Sequence, residues 1–554
     1  MKRLLIVLVL IAIATTACSD GLTRPLIADT YFYWYEWDYQ KQFGSWVGGI
    51  WNTPLDGYYD SATYRDNFRS LRTASEWGIT DHFMDYWGPG WKGENDEPRE
   101  DVVMRAAEEL QRRGYNIHMG FYQDGTDFDM EDFAANLDDG RDFRFYVENW
   151  GDSDALVRLG HNPLHMIYGR NGLPEPTDDN AGFREWLRGR YDDPGALGRA
   201  WGRDVSSWDD AILDYGDGVA RADSIRYATR VWKTQWDEMQ RRSREERGGY
   251  APVVSFDAGY QPYRNWGYSV LPKIGCGPHS YAGIFGVPAD QDVERFIQAA
   301  VAKQYDTVFM DHFKNFYHDI EIRNPGSIYP ADFQAFDRFW AGALNRRSEA
   351  LLHLSWNEWW EGSNLEPCWE YGKTYCEKNL LWSTIMQQCF DSIHEWNAGA
   401  KVVVLLNDWM WLTGGRHTED VYGCIQALRR SNVTFDILPD DFVTASRLAN
   451  VETVIAPTGN AGLGYNADDE RIGDVLKEWV SQERREGRGV ERRLVISQMP
   501  EYLDWLGIDG SQASKPMKPG PDMNLFIDVG EEGDDEFLVA GSSGREDWGR
   551  LPEG

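Results

Sequence analysis

The chain has 554 residues, 42% of them apolar and 14% aromatic, enough to bury large cores in two or three domains and too apolar for a disordered protein. Its 90 acidic residues against 56 basic ones leave a formal net charge of -34, a field that repels nucleic acid and anionic membranes and argues against both as partners. The same acidic, arginine-weighted balance suits a protein kept hydrated in brine, and the 26 Trp offer flat platforms for sugar rings as well as core filling.

Residues 1–18 read as an export signal: Lys2-Arg3, an apolar run over 4–14, then Thr15-Thr16-Ala17-Cys18. The run is too short to span a bilayer, and no other stretch is long and apolar enough to do so. Small residues before Cys18 fit a bacterial lipoprotein box, with Thr15 where such boxes carry Leu. The expectation is therefore an exported protein, either lipid-anchored at Cys18 in the cell envelope or plainly secreted, that meets a membrane only through that anchor. Five further cysteines, Cys276, Cys368, Cys376, Cys389 and Cys424, leave at least one unpaired. Cys368 and Cys376 either bridge or remain buried thiols. No ligand spacing of the Cys-x-x-Cys kind occurs, so neither a metal nor another cofactor is expected.

From 29 to 395, short β-like runs alternate with helical stretches. Strands are expected at 31–37, 79–87, 115–123, 163–169, 252–258, 279–286, 306–313 and 350–356, with helices such as 64–77, 102–113 and 293–304 between them. Eight such units make a (β/α)8 barrel, an α/β fold, here with an insertion or lid over 173–249. Barrels of this kind present their chemistry at the C-terminal ends of the strands. The residues expected there are Tyr33, Trp34 and Tyr35; Asp85, Tyr86 and Trp87; Tyr122, Gln123 and Asp124; Tyr168; Asp257; Asp311 and His312. A single polar residue at a strand end is usually just a satisfied polar group. Nearly every strand ending in this way is better explained by one shared, substrate-binding cleft.

The most informative stretch is 355–367, Ser-Trp-Asn-Glu-Trp-Trp-Glu-Gly-Ser-Asn-Leu-Glu-Pro, directly after the apolar run Ala350-Leu351-Leu352-His353-Leu354. Any one glutamate is more often an ordinary surface charge. Two of them, Glu358 and Glu361, wrapped by Trp356, Trp359 and Trp360 at the end of a buried strand, fit a pair of carboxyl groups for acid/base work on a glycosidic bond. Asn357, Trp356 and Trp359 join the candidate binding residues. Only roughly 40 residues separate Glu358 from the next domain, too few for further barrel units, so Glu358 belongs to the last barrel strand.

The pattern restarts at about 400. Strands at 401–407, 433–438, 451–457 and 493–498, with helices at 419–430 and 468–482, predict a smaller three-layer, flavodoxin-like α/β domain over 400–508. No glycine-rich fingerprint follows its strands, which argues against a nucleotide site. Residues 509–554 are rich in Gly, Ser and acidic side chains with one apolar island at 525–529, and read as a largely flexible tail with room for one added strand.

Two resemblances rest on these residues. The string Trp356-Asn357-Glu358-Trp359-x-Glu361-Gly362, continuing to Leu365-Glu366-Pro367, resembles the late-strand motif of glycoside hydrolase family 99 and the WbsX-type proteins related to it. Gly57-Tyr58-Tyr59-Asp60-Ser61, Asp85-Tyr86-Trp87-Gly88 and Pro163-Leu164-His165-Met166-Ile167-Tyr168 support it. The resemblance implies a metal-independent glycoside hydrolase in which Glu358 is the base at the 2-hydroxyl and Glu361 the general acid/base. The chain departs from the hydrolases in carrying Trp360 where they have His. The stretch 401–507 resembles the amidotransferase-like domain of family-42 β-galactosidases, without a nucleophilic Cys at the turn Pro457-Thr458-Gly459. That implies a structural role or one in homo-oligomer formation. A non-catalytic glycan-binding lipoprotein and a polysaccharide biosynthesis protein stand as the rival readings.

Overall fold

The computed structural model describes residues 22–36, 46, 50, 52–86, 92–123, 148–168, 177–216, 218–246, 253–257, 270–280, 289–319, 326–406, 417–457, 464–486, 492–497, 523–528 and 538–543. Eight strands run parallel: β1 (Leu26–Tyr31), β2 (Asp81–Tyr86), β3 (His118–Gln123), β4 (Asn162–Tyr168), β5 (Val253–Asp257), β6 (Cys276–Ser280), β7 (Met310–Lys314) and β8 (Ala350–Leu354). Each pairs with the next, and β1 pairs with β8 in the register Leu26 to Ala350, so the sheet closes on itself as a barrel.

Alternation along the strands sorts their side chains. Leu26, Ala28, Phe83, Tyr122, Leu164, Met166, Met310, Ala350 and Leu352 fill the barrel interior as one buried cluster. The neighbours between them point outward, against the helices α1 (Tyr64–Glu76), α2 (Arg99–Arg112), α6 (Ala289–Gln304), α7 (Phe333–Arg346) and α8 (Thr374–His394). Interior space is tight: a Cβ on Gly120 would lie 2.6 Å from the Phe83 ring, so this strand position takes glycine. Two of these helices have a side-chain cap for their free N–H groups, Thr63 on α1 and Asp332 on α7.

Between β4 and β5 the insertion forms α3 (Asn180–Arg188), α4 (Pro194–Trp201) and α5 (Gly218–Glu246) around a small core of its own, in which Phe183 stacks on Trp186 and Trp201. A second sheet follows the barrel: β9 (Val402–Leu406), β10 (Phe435–Pro439), β11 (Thr453–Ala456), β12 (Arg493–Ser497), β13 (Met523–Asp528) and β14 (Leu538–Ser543). Its order is β10-β9-β11-β12-β13-β14, parallel as far as β12 and antiparallel beyond, with α9 (His417–Arg430) and α10 (Ile472–Glu486) in the connections. This sheet docks on the barrel through Phe435 against Phe296 and Trp396, and through Asp440, which is buried between Arg226 of α5 and Lys273.

Three expectations are corrected. The first strand is Leu26–Tyr31, before both the expected 31–37 and the expected barrel start at 29. The aromatic run 32–35 has high β-propensity but lies beyond the end of this strand, because Leu26 and Ala28 are the residues in register with β8 and β2. The sixth strand begins at Cys276, three residues ahead of 279. The tail contributes two strands to the second sheet, where room for only one was expected.

Candidate active site

β8 delivers the chain to the rim of the barrel at Leu354, and the next twelve residues fold back on themselves there. Ser355 N–H donates to Ser363 O at 2.8 Å, Ser363 N–H to Glu358 O at 3.0 Å, and Leu365 N–H to Ser355 O at 2.8 Å. The Leu354–Ser355 peptide is cis. Gly362 turns the loop with φ +52°, and a Cβ there would lie 3.1 Å from His318, whose N–H donates to Glu361 O at 2.8 Å. The loop therefore holds both glutamates with backbone bonds.

Glu358 is only 4% exposed. Its Oε1 accepts from the Tyr35 hydroxyl at 3.1 Å, from Trp360 N–H at 3.1 Å and from Glu361 N–H at 3.2 Å. The Tyr35 oxygen in turn accepts the N–H groups of Trp359 and Trp360, which leaves its own proton to point at the carboxyl. Burial, and after it the nearby charge of Glu361, push the Glu358 carboxyl up to about 8 from 4.5, against the pull of those donors. Glu361 is the more open of the two, and its Oε2 forms an ion pair with Lys314 Nζ at 3.5 Å. Two carboxyl groups three residues apart thus sit in opposite environments, one dry and, among the described residues, without a cation, the other beside an ammonium.

Beneath them, Tyr59 gathers a second network. It accepts from Asn357 Nδ2 at 3.0 Å and from the Trp359 indole N–H at 3.1 Å, and donates to Glu366 Oε2 at 2.8 Å. Burial pushes the Glu366 carboxyl up to about 8 as well. Asn357 also accepts from Phe32 N–H at 2.7 Å and donates to Phe32 O at 2.8 Å, stitching the exit of β1 to the loop after β8.

Several expected site residues are placed elsewhere. Trp356, Asn357 and Trp359 are 0% exposed and so form no sugar platform or substrate contact; the Trp356 indole donates to Ser70 on α1 at 2.9 Å. Tyr33 points away from the pair and donates to Glu100 on α2 at 2.9 Å. Gln123 faces the outer side of β3, bonded to His165 at 3.1 Å, while Tyr122 holds the inner side. Asp311 also faces outward, where Arg295 at 2.7 Å, Arg346 at 2.7 Å and Ser348 at 2.7 Å surround its carboxylate; the inward neighbour is His312. For Gln123 and Asp311 a one-residue phase separates the inner face from the outer.

Asp85 follows Phe83 on the inner side of β2, and Trp34 packs beside Tyr35 with ring centroids 6.5 Å apart. Tyr168 and Asp257 end β4 and β5. Trp87, Asp124 and Cys18 lie outside the described residues. Cys368 and Cys376 are free thiols, and Cys376 donates to Leu365 O at 3.1 Å under the loop. Lys314, which ends β7 one residue past the expected strand, belongs to no motif, and Tyr59 and Glu366 stand in the sequence only as parts of one. Among the described residues no cluster of His, Cys, Asp and Glu is arranged to hold a metal ion, and no helix is long and apolar enough to cross a membrane.

No protein-family model matches the chain, and no curated protein does. Among solved structures the chain is similar to the GH99 endo-alpha-mannosidase from Bacteroides thetaiotaomicron, at 13% identity and TM-score 0.42, covering 66% of this chain and 98% of that one. It is similar to the beta-galactosidase from the psychrophilic Marinomonas ef1, at 13% identity and TM-score 0.49, covering 81% of this chain and 73% of that one. A third likeness is to the exo-carrageenase GH42 from Bacteroides ovatus, at 11% identity and TM-score 0.44, covering 83% of this chain and 61% of that one.

Proposed function

We propose that the chain is a glycoside hydrolase that cleaves a poly- or oligosaccharide, with Glu358 and Glu361 as its carboxyl pair. The observation that carries this reading is the split between them: one carboxyl buried and pushed up to about 8, its neighbour paired with Lys314, both on the loop that ends the last barrel strand. Glycosidic cleavage needs one group to give a proton to the leaving oxygen and a carboxylate to take one from the attacking hydroxyl or water, and two environments of this kind keep the two states apart. The motif Trp356-Asn357-Glu358-Trp359-x-Glu361-Gly362, with its resemblance to family 99, supports the same chemistry. Residues 1–18 support an exported enzyme, anchored through a lipid at Cys18.

The test is release of reducing ends from mannans, glucans and acidic or sulfated polysaccharides by the intact chain and by Glu358→Gln and Glu361→Gln. Each substitution is expected to lower turnover at least about a hundredfold while the circular dichroism spectrum stays that of the parent. Unchanged hydrolysis by Glu361→Gln would exclude the pair. Tight glycan binding without any cleavage would favour a non-catalytic glycan-binding protein.

A further inference from the structure

The long helix α5 sorts its side chains by face. Ile225, Ala228 and Trp232 are buried in the main core, while Arg226, Arg230 and Lys233, at spacings of four and three, share a second face. Like charges at such spacings repel one another, so the helix itself gains nothing from them. That face is one wall of a cavity of about 350 Å³. Trp186 of α3 and Arg190 just after it, Lys273 ahead of β6, and Tyr465 and Asp469 of the second domain close the other sides. Five cations line this space, in a chain whose acidic residues outnumber its basic ones by 90 to 56. No residue of the loop 355–367 lines it.

The carboxylates around the cavity are shared or turned to solvent. Asp440, wholly buried, takes both Arg226 and Lys273, the latter at 2.8 Å, and Asp441 stands 3.5 Å from the same ammonium. Arg190 pairs with Asp469, which is 64% exposed, and lies 4.0 Å from the centre of the Trp186 ring and 5.2 Å from that of Tyr465. Burial lowers the Arg190 guanidinium from its ordinary value, and the charges of Arg226 and Arg230 add to that against the pull of Asp469. Lys233 meets Asp237 at 2.5 Å, both of them exposed. Among the described residues five cations thus stand against four carboxylates, and the excess charge is positive.

An adjoining cavity of about 490 Å³ shares Trp186, Arg190, Arg230, Tyr465 and Asp469 with the first, so the space suits a charged group with a body attached rather than a bare ion. The body is not a stacking ring, because Phe183 and Arg190 already occupy the Trp186 indole. Nor is it an acyl chain, since Thr229, Tyr465 and Asn466 put polar groups on the wall. A hydroxylated body fits both limits. Charge is felt over only about 8–10 Å at ordinary salt, so an anion at the cavity meets these cations and not the net field of the molecule. We propose that this cavity is a second binding site, which takes a sulfate or carboxylate group of an acidic polysaccharide beside Arg190, Arg226 and Arg230. The anion part of the proposal stands on the cavity alone; the polysaccharide part rests on the hydrolase reading. Such a site holds the molecule on its polymer at a point other than the carboxyl pair.

The test is calorimetric titration of the full chain, in a Glu361→Gln background so that no cleavage disturbs it, with dextran sulfate, polygalacturonate, unsulfated dextran and inorganic sulfate at about 0.1 M salt. At least one of the two polyanions is expected to bind, and comparison of the two tells sulfate from carboxylate. Dextran should not bind, and inorganic sulfate should bind at least about tenfold more weakly than the polymer. Arg230→Glu combined with Lys233→Glu, both at exposed positions, should weaken the polyanion at least about tenfold, while Arg241→Glu, exposed on the same helix outside the cavity, should leave it unchanged. Arg226 and Lys273 are kept, because they hold Asp440. Should the charge reversal fail to fold, Arg230→Ala with Lys233→Ala gives the same readout. Binding of neither polyanion, equal binding of dextran, inorganic sulfate as tight as the polymer, or an unmoved affinity in the double variant would overturn the proposal. Polyanion binding that the double variant loses, in a chain that cleaves no glycan, would sink the hydrolase reading alone; glycan cleavage by the parent chain with polyanion affinity unmoved in the double variant would sink this proposal alone.

Discussion

Glu366→Gln should make the molecule more stable in mild alkali, and the size of the effect follows from its surroundings. The carboxyl is buried over the Tyr59 hydroxyl and holds its proton up to about pH 8, against 4.5 for the free group. Below 4.5 both folded and unfolded chains are protonated and the pH has no effect through this residue. Between 4.5 and about 8 the unfolded chain releases its proton and the folded one does not, so stability falls as the pH rises, by about 1.4 kcal/mol per unit. Over roughly 3.5 units the limit is about 5 kcal/mol, less whatever a loosened loop recovers by admitting water, so about 2–4 kcal/mol is the expected loss. Gln has nearly the same shape, still accepts from Tyr59, and has no proton to lose. Urea denaturation at a series of pH values, followed by tryptophan fluorescence, should find the variant close to its parent near pH 5 and increasingly more stable toward pH 8. Parallel curves for the two proteins across that range would refute the reasoning.

Tyr35→Phe removes an oxygen that accepts two backbone N–H groups and donates to Glu358. It should cost about 1–3 kcal/mol of stability and move the Glu358 ionisation to still higher pH, because a donor favouring the carboxylate is lost; carboxyl titration of the variant checks the direction. Asp311→Asn breaks the buried arrangement with Arg295 and Arg346. The expected cost is about 3–5 kcal/mol in denaturant, with glycan affinity unchanged in the protein that remains folded; lost affinity at unchanged stability would return Asp311 to the site.

The barrel was legible because its strands are apolar runs bounded by turn residues, and the loop after β8 because two glutamates and three indoles crowd into six positions. What the sequence withheld was phase. Gln123 and Tyr122, or Asp311 and His312, are adjacent, and both faces of a closed parallel barrel are buried, so polarity along the strand does not say which side chain turns inward. The indoles misled for a related reason. A Trp beside a catalytic glutamate fits a sugar platform or a wedge behind the loop equally well, and Trp356 and Trp359 proved to be wedges only once Ser70 and Tyr59 were seen to take their N–H groups. Lys314 gave no local signal, because its partner lies 47 residues further along the chain. The first strand was misplaced because the aromatic run 32–35 outweighs Leu26–Tyr31 in β-propensity, and only pairing with β8 decides between them.

The stitching of Phe32 by Asn357 and the bond from Tyr35 to Glu358 join positions 325 and 323 residues apart. A chain leaving the ribosome N-terminus first must therefore carry Tyr35 through almost the whole of barrel synthesis before the group it serves has been made. No half-built barrel has even a weak version of the carboxyl pair's surroundings, so competence should arrive in one late step, when the closing strand docks against the opening one.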